Sequence, residues 1–310
     1  MSVESVKNRL SRLFKLILLT CFVFFIVSGF YIFPFSNVNE QHQNFILPSP
    51  SIPISFDNRT IVVTRYKEDI TWLDLYLHHI NHVVYTKEDA FALHNIPINK
   101  GKEIMVYLKY IIDYYDRLPG VVAFIHGHRF AWHLKEPDDI VKSLRALKWG
   151  RFDYMPLQAF YVTNTQIIRD SPNPQYAFNW KFWNDTLRDI VWPPADYIEC
   201  PCCATIAVKK HLILARTKQF YLRLYNYISN STESSDRLAL TLEYVWHIIF
   251  GQPFKIPKYQ PCDLFYCYEN GTIKDCARVE CTNVNFTVQA NTSVCNLDAH
   301  RNLICVPTGR

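Results

Sequence analysis

The hydrophobic and polar positions divide the chain into an uncharged run, a polar segment and a body of alternating strand and helix patterns. The run LILLTCFVFFIVSGFYIFPF, residues 16–35, contains twenty residues and no charge. As a helix rising ~1.5 Å per residue, it is long enough to cross the ~30 Å hydrocarbon core of a bilayer. Residues 36–59 are polar, contain proline and lack a period, which is typical of a stem. The pattern therefore predicts a transmembrane segment followed by a stem.

The body of the chain repeats strand and helix patterns. The β-branched run 60–64 predicts a first strand, and the apolar run VVAFIH at 121–126 predicts a buried one. Helical periods occur over Lys102–Asp116, Leu134–Trp149, Leu212–Ile228 and Ser235–Phe250. Strand and helix in alternation predict one α/β sandwich domain over residues 60–260, with a largely parallel central sheet flanked by helices.

The charges around the uncharged run predict its orientation. Basic residues precede it at Lys7, Arg9, Arg12 and Lys15, and none follows until Arg59. The positive-inside rule then makes residues 1–15 a cytoplasmic tail and puts the body in the lumen of the Golgi or endoplasmic reticulum, as a single-pass type II membrane protein. The alternative is a signal peptide cleaved near Val27-Ser28-Gly29, which would make the protein secreted. The body has no basic run interleaved with aromatics, so no nucleic-acid partner is expected.

Two further features favour a lumenal body. Acceptor triplets for N-glycosylation occur at Asn58, Asn184, Asn230, Asn270, Asn285 and Asn291, which predicts a glycoprotein. Nine of the ten cysteines follow residue 199. Residues 261–310 are accordingly predicted to form a disulfide-rich tail, with zinc ligation as the alternative. We expect Cys200, Cys202 or Cys203 to bridge to that tail.

The stretch FIHGHRFAWH, residues 124–133, places three histidines directly after the buried strand. His126 and His128 alternate across Gly127, so an extended backbone would point both imidazoles the same way. Neutral imidazole is a common ligand of zinc and similar metals, which makes this pair a candidate divalent-metal site. Hydrogen bonding to a polar substrate, in which His133 would join, and a purely structural loop are the alternatives.

Charged residues after the first strand and on a later helix are further candidates. Ligands of open α/β sheets bind beyond the carboxyl ends of strands, where Arg65, Glu68 and Asp69 are predicted to bind substrate. A solvated charged loop is the alternative. Glu243 and His247 are four apart on an apolar helix and share a face. They are the catalytic candidates, with Glu243 as a general base or a hydroxyl binder, unless Glu243 merely orients His247 in the core.

Several stretches together resemble the domain-of-unknown-function family 3431 over residues 60–268. They are VVTRYKEDITWL (62–73), NKGKEIMVYLKYIIDYYDRLP (99–119), FIHGHRFAWH (124–133), PCCATIAVKKHLI (201–213), LEYVWHIIFG (242–251) and the Cys262/Cys267 pair. The second stretch adds Glu103 to the candidate substrate-binding residues. The chain departs from the family at residues 150–155, GRFDYM, where members read like GYVNLRC.

The opening strand and charged loop are also similar to the start of GT-A type glycosyltransferases, in which an acidic residue of that loop contacts the nucleotide. This resemblance implies a lumenal glycosyltransferase-like protein acting on glycans, with a glycan or nucleotide-sugar as partner. The metal-binding DxD motif of such enzymes is missing, and Asp138-Asp139 lies in a polar stretch. A bound divalent metal would therefore need the HGH histidines, which favours a transition metal over magnesium. The alternative is a non-catalytic lumenal domain that binds carbohydrate or acts as a scaffold.

Overall fold

The computed structural model describes residues 58–131, 134, 139–158, 161–201 and 204–275, and the backbone of two strands at 293–297 and 303–307. The strands are β1 (Arg59–Arg65), β2 (Asn81–Thr86), β3 (Val121–His126), β4 (Tyr154–Pro156), β5 (Tyr161–Gln166), β6 (Tyr197–Pro201), β7 (Ile206–Lys209), β8 (Ser293–Leu297) and β9 (Leu303–Pro307). The helices are α1 (Thr71–Tyr76), α2 (Ile104–Tyr114), α3 (Ile140–Ala146), α4 (Pro174–Thr186), α5 (Lys210–Leu214), α6 (Lys218–Asn230), α7 (Ser235–Ile249) and α8 (Pro261–Leu264).

The central sheet has five strands in the order β2-β1-β3-β7-β4. β1 pairs in parallel with β2 and β3, whereas β7 runs antiparallel to both β3 and β4. The sheet is therefore mixed, which corrects the prediction of a largely parallel one. β5 and β6 lie between β4 and β7 in the sequence and form a separate antiparallel pair. This pair brings the chain back to the edge of the central sheet where β4 ends. The chain therefore runs through β7 in the direction opposite to β4.

Helices cover both faces of this sheet. Alternate residues of β1 point to opposite faces, so that Val62 packs with α2, α4, α6 and α7, while Ile61 and Val63 pack with α1, α3 and α8. The two clusters form the hydrophobic core, one on each side of the sheet. The prediction of an α/β domain with a central sheet flanked by helices is confirmed, apart from the direction of the strands.

The strongly periodic segments form the predicted elements. The helix predicted over residues 102–116 is α2, the helix predicted over 235–250 is α7, and the strand VVAFIH is β3. Ser234 caps the N-terminus of α7, because its side chain accepts the Arg237 N–H. Gly251 ends that helix region with φ of 75°.

Two predicted helices are shorter than the sequence pattern suggested. The segment predicted as Leu134–Trp149 contains α3, which begins only after Asp139 accepts the Val141 N–H. The segment predicted as Leu212–Ile228 is divided between α5 and α6, because Thr217 caps a new helix by accepting the Phe220 N–H. Local side-chain capping thus set both boundaries.

The chain beyond residue 260 continues into the domain core, where Leu264 and Phe265 are buried. Cys262 and Cys267 form a disulfide, as the oxidised interpretation of the cysteines predicts. The expected bridge from Cys200 to the tail is wrong, since Cys200 is a free thiol buried in the apolar core. Cys202 and Cys203 lie outside the described residues. In the hairpin of β8 and β9, Cys295 is opposite Cys305 in the backbone register.

Among the described residues, no helix combines the length and apolar character required to cross a membrane. The predicted transmembrane segment, residues 16–35, the cytoplasmic tail and nearly all of the stem lie outside those residues.

Candidate functional site

A cleft of about 700 Å³ lies at the carboxyl ends of β1, β2 and β3. It is lined by Thr64, Tyr66 and Glu68 after β1, by Lys87 after β2, and by His126 and His128 at the end of β3. β2 and β3 lie on opposite sides of β1, so the strand order reverses there. Ligands of open α/β sheets bind at this kind of topological switch point.

Strand register explains why His126 faces the cleft. Thr64 and His126 are direct partners in the parallel pairing of β1 and β3. The two-residue period puts both on the sheet face that carries Val62 and Phe124, which α2 and α7 cover. The beginning of α2 and one side of α7 therefore form the opposite wall, contributing Lys102, Glu103, Ser235 and Glu243.

The turn before α2 joins the two helices of that wall. Gly101 and Lys102 have φ of 62° and 51°, the left-handed region, where a glycine is favoured at the first position. The Gly101 N–H donates to Ser235 Oγ over 3.2 Å. This bond ties the beginning of α2 to the beginning of α7 and so fixes Glu103 relative to Glu243.

Gly127 allows the histidine loop to approach the loop after β1. A Cβ atom at this position would be 3.0 Å from the Thr64 carbonyl oxygen and 3.1 Å from Glu68 Oε2. Both separations are too short for a relaxed side chain. A side chain between the two histidines would therefore require Thr64 or Glu68 to shift by a few tenths of an ångström.

Glu68 is held rigidly at the cleft. Its Oε2 accepts hydrogen bonds from the backbone N–H groups of Tyr66 and Lys67, and its Oε1 is 3.4 Å from His128 Nε2. Burial raises the pKa of Glu68, but the backbone hydrogen bonds and the charge of His128 outweigh it and hold that pKa below its usual value. Glu68 is thus an ionised acceptor at neutral pH.

Glu103 is buried, and one of its two carboxyl oxygens has no hydrogen-bond partner among the described residues. Only 4% of its surface is exposed, and its Oε2 is 3.9 Å from His126 Nδ1. Its Oε1 is buried and has no hydrogen-bond partner in the described part of the chain. Such unpaired buried oxygens are rare in folded proteins, so this one marks a site with capacity to accept a hydrogen bond.

Glu243 titrates near neutral pH. Burial and the nearby charge of Glu103 raise the pKa of Glu243 to about 8, while the charge of Lys102 partly opposes them. At pH 7 Glu243 therefore holds its proton. Glu103 and Glu243 line the same cleft and are called the Glu103–Glu243 pair.

Sequence reasoning missed the two lysines of the cleft. Lys87 Nζ donates to the Lys102 carbonyl oxygen, and burial lowers the pKa of Lys87 although Glu103 and Glu68 oppose this shift. Lys102 Nζ is 2.8 Å from Asp236 Oδ1. Lys87 directly follows β2, so the strand-end rule that selected Glu68 would have found it had the NHVVYT strand been predicted.

Several candidates lie away from the cleft wall. Arg65 Nε donates a hydrogen bond to the Glu68 carbonyl oxygen, and its guanidinium lies 2.6 Å from Glu88 Oε1. Arg65 therefore stabilises the loop after β1. Asp69 accepts the Thr71 N–H over 2.9 Å at the beginning of α1, a bond that lowers the pKa of Asp69. Both positions fit the alternative of a structural charged loop. His133 lies outside the described residues.

His247 lies in the core rather than at the cleft, which corrects the expected convergence with Glu243. It is 1% exposed, and burial lowers its pKa to about 3 against the effect of a hydrogen bond with the Phe254 backbone. The four-residue spacing moves His247 one turn along α7, where Val245, Trp246, Ile248 and Ile249 are all buried. His247 is therefore a neutral side chain of the core.

The described residues do not fit a metal centre. His126 and His128 contact two different carboxylates, and within the described ranges no group of three or more His, Cys, Asp or Glu is arranged to hold a metal ion. Asp139 caps α3 and lies 2.8 Å from Arg129, so it is used structurally. The predicted metal role of the histidines gains no support from this geometry.

A family model described as "Protein of unknown function (DUF3431)" matches residues 61–270. Because the match covers more than half of the chain, the protein belongs to this family, and the predicted membership is confirmed. No curated protein and no solved structure matches the chain. The likeness of the first strand to GT-A type enzymes stays a prediction.

Proposed function

We propose that this member of the DUF3431 family is a lumenal glycosyltransferase-like protein that acts on glycans. The observation that carries the proposal is the cleft at the strand-order reversal, with the carboxyl groups of Glu103 and Glu243 on its wall and the pKa of Glu243 raised to about 8. A volume of about 700 Å³ lies within the range of small-molecule sites, roughly 300–1,000 Å³. Perturbed carboxyl groups in such a cleft are typical of functional sites.

The end of the cleft near β1 and β2 suits a nucleotide-sugar donor. Glu68 is an ionised acceptor for sugar or ribose hydroxyls, and its backbone hydrogen bonds fix its direction. Lys87 and Lys102 bring positive charge close to it. Ammonium groups bind phosphate oxygens, so the diphosphate of the donor would lie against the lysines.

The Glu103–Glu243 pair suits proton transfer from an acceptor hydroxyl. One carboxylate of the pair takes the proton while the acceptor oxygen forms a bond to the anomeric carbon. The bond from that carbon to the diphosphate breaks, and the nucleoside diphosphate leaves with the electron pair. The lysines would offset the charge that develops on the leaving group.

The membrane and lumenal setting is part of the same proposal. The uncharged run 16–35, the basic residues before it and the acceptor triplets support a type II membrane protein of the Golgi or endoplasmic reticulum. The disulfide between Cys262 and Cys267 is consistent with an oxidising compartment. Glycans are the partners to be expected there.

A second candidate is a non-catalytic domain that binds carbohydrate or acts as a scaffold. The structural use of Asp139 favours it, since the one Asp-Asp pair of the sequence then offers no obvious substitute for the missing metal motif. The polar cleft would bind a glycan in both cases, and only turnover separates them.

The deciding experiment incubates the purified full chain with a panel of nucleotide-sugars and glycan acceptors, with and without divalent metals. We expect release of nucleoside diphosphate coupled to acceptor glycosylation. The double variant Glu103→Gln/Glu243→Gln should lower kcat by about 10²-fold or more, because no carboxylate of the pair then remains to take the proton. Glu269→Gln, an exposed position away from the cleft, is the matched control. Sugar binding without turnover would favour the second candidate, and neither binding nor turnover would reject both.

A further inference from the structure

The wall of the cleft is built from matching positions on two helices. Tyr107 lies four residues after Glu103 on α2, and Trp246 lies three residues after Glu243 on α7. These spacings put each pair on one side of its helix. The rings of Tyr107 and Trp246 lie 6.1 Å apart between centroids, and the charges of Glu103 and Glu243 raise the pKa of Tyr107, to which burial contributes most. Tyr107 and Trp246 belong to the buried core, whereas Glu103 and Glu243 line the cleft.

One polar atom of the cleft lining and two of the adjoining core have unmet hydrogen-bonding capacity. They are Glu103 Oε1, Tyr107 Oη and Trp246 Nε1, each buried and without a hydrogen-bond partner among the described residues. Glu103 is 4% exposed and Tyr107 is 1% exposed. Buried donors and acceptors are nearly always paired, and the exceptions concentrate where function requires them. Of the three residues Glu103 lines the cleft, and its unpaired Oε1 can accept a hydrogen bond from a polar ligand there.

The charged groups around the pair leave it with negative charge to present to a ligand. Lys102, before α2, is bound to Asp236, and Lys87, after β2, donates to the Lys102 carbonyl oxygen. His126 approaches Glu103 from β3. Behind the pair, Cys200 of β6 and the neighbouring Tyr244 feel the charge of Glu243, and burial together with this charge raises the pKa of both to about 12. Both groups are therefore neutral at pH 7 and add no negative charge of their own.

We propose that Glu103 and Glu243 are the specificity-determining residues of the cleft, holding hydroxyl groups of a neutral sugar and excluding acidic sugars. This inference rests on the proposed function, since it names the class of glycan that the same cleft takes. A protonated Glu243 can donate a hydrogen bond and the unpaired Glu103 Oε1 can accept one, which matches a sugar hydroxyl. A uronic acid would instead bring a second negative charge within hydrogen-bond reach of the pair.

The test uses matched ligands that differ only at one carbon. Methyl hexopyranosides and the corresponding methyl uronides are titrated against the full chain, and binding is measured by ligand-observed NMR and calorimetry at pH 7. We expect at least one neutral glycoside to bind and its uronide to bind at least about tenfold more weakly. Equal or tighter binding of the uronide overturns the specificity proposal alone. Absence of binding by every sugar rejects the proposed function and this inference together.

Variants assign the discrimination to the pair. Glu243→Gln mimics the protonated carboxyl group and leaves the negative charge on Glu103, so it should keep both neutral-sugar binding and the discrimination. The double variant Glu103→Gln/Glu243→Gln carries no charge, and its preference should fall to within about twofold. Glu269→Gln should behave as the unchanged protein. A double variant that still discriminates, with an unaltered unfolding temperature, overturns the assignment.

Infrared difference spectra provide a readout that needs no ligand. Between pH 6 and pH 9.5 the unchanged protein should lose the carbonyl band of one protonated carboxyl group, and Glu243→Gln should lack that change. If the band is absent from the unchanged protein at pH 6, the pair holds no proton and the proposal fails.

Discussion

The α-carbon of Gly127 lies so close to the Glu68 side chain that an added Cβ would be 3.1 Å from Glu68 Oε2. The histidine loop and the loop after β1 therefore behave as one packed unit, and Glu68 and His128 keep their relation only while residue 127 lacks a side chain.

We expect Gly127→Ala to lower the free energy of unfolding by about 1–3 kcal/mol, because the added methyl group forces backbone or Glu68 to move. Ligand affinity at the cleft should fall as well, since the displaced carboxylate loses its backbone donors. Denaturant unfolding and calorimetric titration measure the two effects. An alanine variant as stable as the unchanged protein would contradict the close packing.

The raised pKa of Glu243 predicts how stability depends on pH. The unfolded chain loses this proton near the ordinary value of 4.5, whereas the folded chain keeps it until about 8. The unfolded state thus binds fewer protons in that interval, and stability falls as pH rises through it. The total is on the order of a few kcal/mol, since each pH unit between the two values contributes about 1.4 kcal/mol.

Chemical denaturation at a series of pH values measures this slope. Glu243→Gln should flatten it between pH 5 and pH 8, while the exposed Glu269→Gln should leave it unchanged. An identical slope in all three proteins would show that Glu243 titrates normally.

His247 should lower the stability of the folded protein at acidic pH and should have no part in binding or chemistry at the cleft. Its pKa of about 3 in the folded state lies below the ordinary 6.5, so stability is full above pH 6.5 and is lost as pH falls toward 3. His247→Leu should remove this contribution to acid sensitivity while sugar binding stays intact. If a folded His247→Leu protein no longer binds sugar, His247 contributes to the site.

The Cys262–Cys267 bridge should stabilise the segment that follows α8. Replacing both cysteines by serine should cost about 2 kcal/mol, as expected for a short closed loop. Peptide mapping without reductant should recover this pair, and Cys200 should react with a thiol reagent only after unfolding because it is buried. Rapid labelling of Cys200 in the folded protein would contradict its position in the core.

The acceptor triplets predict that the body carries glycans. Asn230 and Asn270 are exposed, at the end of α6 and in the turn before Thr272. Endoglycosidase treatment of the protein from eukaryotic cells should increase gel mobility, and Asn230→Gln with Asn270→Gln should reduce the shift. A protein whose mobility never changes would reject the lumenal assignment.

The sequence by itself determined the elements whose pattern is local. Helices α2 and α7 and the strand β3 were predicted because their apolar residues recur with the period of the element. The same reasoning put Glu68, His126 and His128 at strand ends, and the structure brings these three to one cleft. Parallel neighbours deliver their following loops to one edge, so order along the chain was enough.

Only the tertiary structure decided the direction of β7, the pairing of Glu103 with Glu243 and the burial of His247. The apolar run of β7 reads the same in either direction, and its orientation follows from the β5–β6 pair before it. Glu103 and Glu243 are 140 residues apart in the sequence, and the fold brings both to the lining of one cleft. The raised pKa of Glu243 arises from burial and from the charge of Glu103, which are properties of the folded surroundings and have no counterpart in a local pattern.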